Sequence, residues 1–154
     1  MATLETSSVG IVLEKMVKTI RAMHVRKGIR GADVIVDYAM GHTREMDEIQ
    51  IGDIEEHEEI VVKMNSGRRK RDESYDVVIN VWVTRSDIQD AIHDAEQHKG
   101  RILDWFSEHP DLDLGIPTLR VLETRSSLNM TMAQTGQGWQ VHITIRPHIQ
   151  VRLV

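Results

Sequence analysis

The sequence predicts an α+β fold: a mostly antiparallel sheet with two amphipathic helices packed on one face, and long hairpin loops. Two segments carry apolar residues at helical spacing, and several others alternate apolar with polar residues, as strands do. Turn-rich stretches join some of the alternating segments, which favours hairpins and therefore antiparallel pairing. At 154 residues the chain has the length of one domain, so we expect a single core.

Composition excludes several classes of protein. The chain has no cysteine, which excludes a disulfide scaffold, a thiolate zinc site and a cysteine nucleophile. No apolar run approaches the roughly 18 residues of a membrane span, and the first residues lack the pattern of a secretion signal, so we expect a soluble protein. The net charge of −5 argues against non-specific nucleic-acid binding as the main role, because that affinity comes from neutralising phosphates.

The first expected element is an amphipathic helix over about Ser7–Met23. Its apolar residues recur at three- and four-residue steps and therefore share one face; they are Val9, Val12, Leu13, Met16, Ile20 and Met23. The hydroxyl residues Thr6–Ser8 offer N-cap oxygens, and Gly28 with Gly31 marks the end of the helix.

A short strand and a long acidic segment come next. Apolar and polar residues alternate over Asp33–Met40, which predicts a strand. Gly41–Glu59 holds eight acidic residues against one basic residue, and few apolar ones, so we expect a long exposed loop there. The acidic residues are Glu45, Asp47, Glu48, Asp53, Glu55, Glu56, Glu58 and Glu59.

Two further alternating runs predict a hairpin. Ile60–Met64 and Tyr75–Val83 flank the turn-rich stretch Asn65–Gly67, and residues 65–72 are expected to form an extended loop. Four basic residues lie at or near its tip: Arg68, Arg69, Lys70 and Arg71. The second run is apolar on both faces over its middle, which makes it the best candidate for the central strand.

The second helix should begin at Ser86–Gln89, which has the form of a capping box with the serine as N-cap. Apolar residues at helical spacing continue from Ile88 to Phe106, past Gly100, as far as Pro110.

The remainder of the chain is strand-like. Leu119–Glu123, Leu128–Ala133 and Trp139–Ile145 each alternate apolar with polar residues to some extent, the last most strongly. Pro147 has no backbone N–H to donate to a neighbouring strand, so we expect it to end that strand. Residues 147–154 would then form an edge strand or a terminal arm.

Eight histidines raise the possibility of metal binding or catalysis. His93 and His98 stand about 140° apart on the second helix and are expected to be solvated there. His57 lies among glutamates in an order that fits no EF-hand, which favours a solvated acidic loop. His142 and His148 are expected at the surface. The chain also lacks a G-x-S-x-G motif and a glycine-rich phosphate loop, so we expect no enzyme, catalytic residue, cofactor or metal.

Charge is segregated along the chain: about −7 over Gly41–Ile60 and +5 over Lys63–Arg71. The simplest interpretation is two solvated loops with no partner. A second is that the basic cluster contacts nucleic acid, although Asp72 and Glu73 follow it and interleaved aromatic residues are missing. A third is that the acidic segment of one copy meets the basic hairpin of the next, which closes into a ring if repeated around an axis.

The order of elements resembles the tail terminator (tail completion or minor tail) proteins of long-tailed bacteriophages. The resemblance extends over about Leu4–Ile145. It rests on the N-terminal helix, the loop-rich hairpin entering Arg71–Val83, the helix opening at Ser86 and the final strand Gly138–Ile145. Related neck proteins share this pattern.

The resemblance implies a structural virion protein made in the host bacterial cytoplasm. Members of this family form a hexameric ring on the tail tube and present the docking surface for the head connector. The implied partners are further copies of the chain, the major tail tube protein, the head–tail connector, and DNA that passes through the lumen without sequence-specific binding; no membrane is implied. The alternatives are another neck or connector protein, or a small nucleic-acid-binding α+β module. The acidic residues of 41–59 and the four basic residues near the hairpin tip are the expected inter-subunit or axial contacts.

Overall fold

The computed structural model describes residues 6–26, 29–30, 33–38, 47–62, 70–132 and 138–153. Two helices and five strands follow one another, which confirms the α+β class. Their bounds are α1 Val9–Arg26, β1 Val34–Tyr38, β2 Asp47–Val62, β3 Lys70–Arg85, α2 Ile88–Glu108, β4 Arg120–Met132 and β5 Trp139–Leu153. No helix in these ranges is both long and apolar enough to span a membrane.

The five strands form one sheet in the order β1-β2-β3-β5-β4. Only β1 and β2 pair in parallel; all other neighbours are antiparallel. The prediction that β3 is central is therefore confirmed. Val77 and Val78 lie on opposite faces of β3 and are both buried, in agreement with the apolar residues that the sequence carries on both faces of this segment.

The core lies on one face of the sheet, where alternate residues of β3 and β5 point toward both helices. Along β3 these residues include Val77, Ile79 and Val81, and they join Met16 of α1 and Ile102 of α2 in one buried cluster. The helices pack mainly on different strands, α1 on β1 and β2 and α2 on β3 and β5. The amphipathic stripes predicted from the sequence are thus what attaches the helices to the sheet.

The acidic segment is not a loop over Asp47–Glu59, which corrects the expectation for that part. It forms most of β2, and Gly41–Met46 lies outside the described residues. Ile49 and Ile51 alternate into the core opposite Val81 and Ile79 of β3. The overall acidity of the segment hid this two-residue period, and pairing with β3 gives the strand its stability.

The β2–β3 hairpin is confirmed, with Val62 paired to Lys70 across its described end. The predicted turn, Asn65–Gly67, lies outside the described residues, as do all positions from 63 to 69. Residues 70–72 belong to β3 and are not part of a loop.

Two details of α2 and β4 differ from expectation. The N-cap of α2 is Asp87 and not Ser86, because the Asp87 carboxylate accepts from the amides of Gln89 and Asp90. The two weak strands before residue 133 are one strand, β4, interrupted by a bulge after Val121. The run of polar residues Glu123–Ser127 carries no apolar alternation and separated the two predicted segments.

Pro147 does not end β5, which corrects the expectation of an edge strand or arm at 147–154. The pairing of β5 with β3 skips Arg146 and Pro147 and resumes in the same register on both sides. On the other side, Pro147 pairs with Thr124 next to the β4 bulge. The strand tolerates the missing donor because its ladders are already irregular there, and Ile149 and Val151 remain buried between two strands.

Candidate functional site

The acidic residues predicted as contacts divide between the two halves of β2. Asp47 and Glu48 are buried in the half that pairs with β1. The rest of β2, Asp53–Val62, which we call the acidic edge, pairs with β3 on one side and has no strand on its other side among the described residues. The exposed acidic side chains there are Asp53, Glu55, Glu56, Glu58 and Glu59.

Three of the predicted contact residues, Glu45, Arg68 and Arg69, lie outside the described residues. Lys70 and Arg71 are half-buried at the start of β3. Arg71 donates to Glu59 across the hairpin at 3.2 Å, so one basic and one acidic residue pair within the chain.

Two bulges shape the acidic edge. The register of β2 against β3 shifts between Gly52 and Ile54 and again between Glu55 and Glu58. Asp53 and Glu56 have φ values of 51° and 52°, a left-handed conformation that L residues adopt at some cost. The bulges change which side chains face outward, so strict alternation does not hold along this edge.

Three of the exposed acids have no partner in the described part of the chain. Glu55 accepts from Arg146 at 3.1 Å and Glu59 from Arg71. Asp53, Glu56 and Glu58 have no hydrogen bond or ion pair with any described residue. The acidic edge therefore retains uncompensated negative charge.

A buried set of polar side chains joins both helices to the sheet; we call it the interhelical network, and it consists of His24, Asp47, Arg85, Asp94 and His98. Arg85 donates to both carboxylate oxygens of Asp47, at 2.7 and 2.9 Å, and to Asp94 at 2.9 Å. His98 Nε2 lies 2.9 Å from Asp47 Oδ2, and its Nδ1 lies 3.0 Å from Nδ1 of His24. Residues from α1, β2, β3 and α2 are thereby fixed to one another.

The network holds Asp47 ionised and His24 neutral at neutral pH. Burial alone would raise the pKa of Asp47, but hydrogen bonds from His98 and Arg85 outweigh it and keep the pKa below its ordinary value. Burial, and then the charges of His98 and Arg101, lower the pKa of His24 to about 3. His24 Nε2 has no hydrogen-bond partner in the described part of the chain.

The segment after α1 is tied to the same network. Arg30 donates from Nε to Asp94 at 2.7 Å and from Nη2 to Asp90 at 2.9 Å, both on α2. The buried carboxylate of Asp94 thus accepts from two guanidinium groups, those of Arg30 and Arg85. These bonds hold Arg30 against the second helix.

A second buried carboxylate lies at the start of α1; we call it and its partners the α1 cap, which consists of Ser7, Ser8, His57, Glu73 and Tyr75. Glu73 accepts from the Ser8 amide at 2.8 Å, from the Ser8 hydroxyl at 2.6 Å and from the Ser7 hydroxyl. Both Ser8 groups donate to Oε1 of Glu73, whereas the Ser7 hydroxyl donates to Oε2 and His57 Nε2 lies 2.7 Å from that same oxygen. Tyr75 shares a hydrogen bond with Ser8. A carboxylate from β3 therefore caps the helix, in a position that helix N-termini favour for negative charge.

The α1 cap also contains a group of possible metal ligands. One ligand atom each of His57, Glu59 and Glu73 lie within 4.8 Å of one another. Hydrogen bonds from the two serines and His57 nonetheless already satisfy Glu73, and Glu59 accepts from Arg71. We therefore assign no metal to this group. It lies on strands and not in a solvated loop, which corrects the expectation for His57.

The expectation for His98 is also corrected, because its side chain is fully buried in the interhelical network and not solvated. His93 is exposed as expected and lies 3.0 Å from Gln97. His142 stacks on Trp82 with ring centroids 3.7 Å apart, on the sheet face that carries no helix. His148 is half-buried and lies 2.6 Å from the buried carboxylate of Asp76.

Three residues that organise these clusters were missed by the sequence reasoning: His24, Arg85 and Glu73. A signal for one of them was present. His24 continues the four-residue spacing of Met16 and Ile20 on the apolar stripe of α1, which places an imidazole in the core. No local pattern marks Glu73 or Arg85, since both follow ordinary strand positions.

An open groove of about 610 Å³ runs between α1 and α2. Met23 and Trp105 give it an apolar floor, and charged side chains of both signs line its rim: Lys15, Arg101, Asp104, Glu108 and Asp113. This mixture contains no nucleophile paired with a base, and we assign no reaction to it.

Comparisons with known proteins show the fold alone. No protein-family model matches the chain, and no curated protein matches it. Among solved structures, the chain is similar to a chain described as part of the virion of a native gene transfer agent particle. The TM-score is 0.53 at 13% identity, over 94% of this chain and 98% of that one.

Proposed function

We propose that this chain is a structural protein of a phage-like virion, namely a tail terminator. In this proposal it forms a hexameric ring that caps the tail tube and presents the docking surface for the head connector. The observation that carries the proposal is the near end-to-end similarity to a chain of a gene transfer agent virion, which agrees with the resemblance found in the sequence.

The geometry of the chain supports a structural role. The buried titratable groups of both named clusters are hydrogen-bonded to neighbouring elements, which makes them cross-links within the fold. We propose that the chain has no enzymatic activity. Its charge and its uncovered sheet edges are instead available for contacts with other proteins.

The partners of the proposed ring are further copies of the chain, the tail tube protein and the connector, with DNA passing through the lumen. Of the predicted contact residues, the exposed acids of the acidic edge are the best placed for such contacts. Asp47 and Glu48 act within the chain in this proposal, because both are buried.

The description of the similar chain names its particle and no position within it, so a head–tail neck or connector protein is the second candidate. Native mass spectrometry of the purified chain, alone and mixed with tail-tube protein, tests the proposal. We expect a closed oligomer, alone or bound to the end of the tube. A monomer under both conditions would contradict the ring, and binding to DNA-filled heads without binding to tubes would favour the second candidate.

A DNA titration separates the remaining alternative. Tight binding of DNA that weakens steeply with salt would favour the nucleic-acid-binding module. We expect no such binding, because Arg71 already pairs with Glu59 and the acidic edge adjoins it.

A further inference from the structure

The short strand β1 pairs on one side only, and two longer stretches of strand, at opposite sides of the sheet, also lack a neighbour on one side among the described residues. One is the acidic edge, because β1 pairs only with the first residues of β2, up to Ile51. The other is β4, which pairs with β5 on one side only. Exposed backbone at such edges is available for pairing with another strand, and proteins that remain monomeric protect it.

Both edges carry exposed apolar side chains on the helix-bearing face. Leu128 and Met130 of β4 pair with residues of β5 that are buried in the core, and paired side chains lie on the same face. Val61 of the acidic edge pairs with Arg71, which pairs in turn with the buried Leu153. The core face of the sheet thus continues to both edges, beyond the area that α1 and α2 cover.

The two edges are also complementary in charge. Glu56 and Glu58 on the acidic edge are exposed and have no ion-pair partner among the described residues. β4 carries two exposed arginines and one exposed glutamate, Arg120, Arg125 and Glu123, and the side chain of Arg125 is 67% exposed although it lies 3.6 Å from Asp76. Contact between an acidic and a basic edge favours pairing of unlike edges over pairing of two acidic ones.

We propose that copies of this chain join by strand addition, with the acidic edge of one copy pairing along β4 of the next. The inference rests on the proposed ring and specifies its contact. Joining two unlike edges is a heterologous contact, which closes into a ring when the rotation between copies allows it.

Cysteine cross-linking tests the contact against a clean background, because the natural chain has no cysteine. Glu58 pairs with Ser74, and Asn129 pairs with His142, so both side chains lie on the helix-free face. Under the proposal, a variant with both Glu58→Cys and Asn129→Cys, treated with a bismaleimide cross-linker, gives a ladder of oligomers. A mixture of the two single variants gives dimers only, and each single variant alone gives none.

A charge placed in the contact provides a second readout. Leu128→Lys should abolish the oligomer seen by native mass spectrometry. Ile11→Lys is the matched control, since Ile11 is 40% exposed and Leu128 37%, but Ile11 lies on α1. We expect the control to assemble as the natural chain does.

The outcomes distinguish the two proposals. Dimers from Asn129→Cys alone would overturn the inference in favour of two-fold pairing of β4 strands. Another outcome is a ring that forms while the double cysteine variant gives no cross-linked oligomers and Leu128→Lys leaves assembly unchanged. That result would overturn the inference and leave the proposed ring intact. A chain that remains monomeric, alone and with tail tubes, would overturn both.

Discussion

The interhelical network and the α1 cap both bury a carboxylate, but they compensate its charge by different means. Asp47 is held by a guanidinium group that donates to both of its oxygens. Glu73 has no arginine or lysine partner among its hydrogen bonds with described residues and is held by a helix N-terminus, hydroxyl groups and His57.

The two clusters should respond differently to single substitutions. Removing one member of a buried ion pair leaves the opposite charge without compensation, which costs more than losing a hydrogen bond between neutral groups. The interhelical network should therefore be sensitive to any single charge change. The α1 cap distributes its compensation over several weaker donors and should lose stability more gradually.

The largest effect expected is that of Asp47→Asn, because Arg85 and His98 then lose their buried anion. We expect the free energy of unfolding to fall by about 3–5 kcal/mol, measured by urea denaturation followed by circular dichroism. Asp53→Asn is the control on the same strand: Asp53 is exposed, and both residue types tolerate its left-handed backbone. A loss for Asp47→Asn no larger than for the control would remove the basis of the comparison.

The second prediction concerns pH and His24. The unfolded chain binds a proton at His24 near the ordinary value of 6.5, whereas the folded chain binds it only near a pKa of about 3. Stability should therefore fall as pH drops through this window, by about 2 kcal/mol between about pH 6.5 and about pH 5. His24→Asn keeps one polar contact to His98 and should lose this part of the pH dependence. If the free energy of unfolding changes with pH in the same way for the variant and the natural chain, the pH dependence does not come from His24.

The third prediction addresses the α1 cap. Glu73→Gln keeps a hydrogen-bond acceptor but removes the charge that faces the helix N-terminus, so we expect a loss of about 1–2 kcal/mol. Burial opposes ionisation of Glu73, but its hydrogen bonds outweigh burial and hold its pKa below the ordinary value of 4.5. The stability difference between the natural chain and the Glu73→Gln variant should therefore be present above that ordinary value and vanish as pH falls through the folded pKa.

Glu58→Gln is the control for the α1 cap, since Glu58 lies on the same hairpin and is exposed. Urea denaturation at several pH values checks both variants. If Glu73→Gln costs as much as Asp47→Asn, the two clusters do not differ in the way that their partners indicate.

The smallest effect is expected at the exposed pair Glu59–Arg71. Its side chains are 31% and 37% exposed, so water screens their attraction. A double-mutant cycle with Glu59→Gln and Arg71→Gln should give a coupling energy below about 1 kcal/mol. A larger coupling energy would show that this pair behaves like the buried clusters. High salt should reduce the coupling energy of a surface pair.

Local patterns were sufficient for much of the fold. Helical spacing located α1 and α2, although the cap of α2 proved to be Asp87, one residue beyond the predicted serine. The apolar residues on both faces of Tyr75–Val83 identified the central strand. Composition misled at the acidic segment, because six of its residues are buried at Asp47–Gly52 once β1 and β3 lie on either side.

The clusters could not be predicted to the same extent. Spacing indicated that His24 lies on an apolar stripe, but nothing near it in sequence indicated that its neighbour would be His98, 74 residues away. Arg85 and Asp47 are 38 residues apart and meet only because β2 and β3 pair. The acidic residues predicted as contacts likewise divide into a buried and an exposed group, because β1 pairs only with the first half of β2.

The class of the fold, the two helices, the β2–β3 hairpin and the central strand could be predicted, because each follows from the period of apolar residues over a short span. The pairing of strands and the packing of helices were needed to show which charges are buried, which charges pair within the chain and which edges lack a neighbouring strand among the described residues. Those properties depend on distances between residues far apart in sequence, and such distances are set when the strands pair and the helices pack on them.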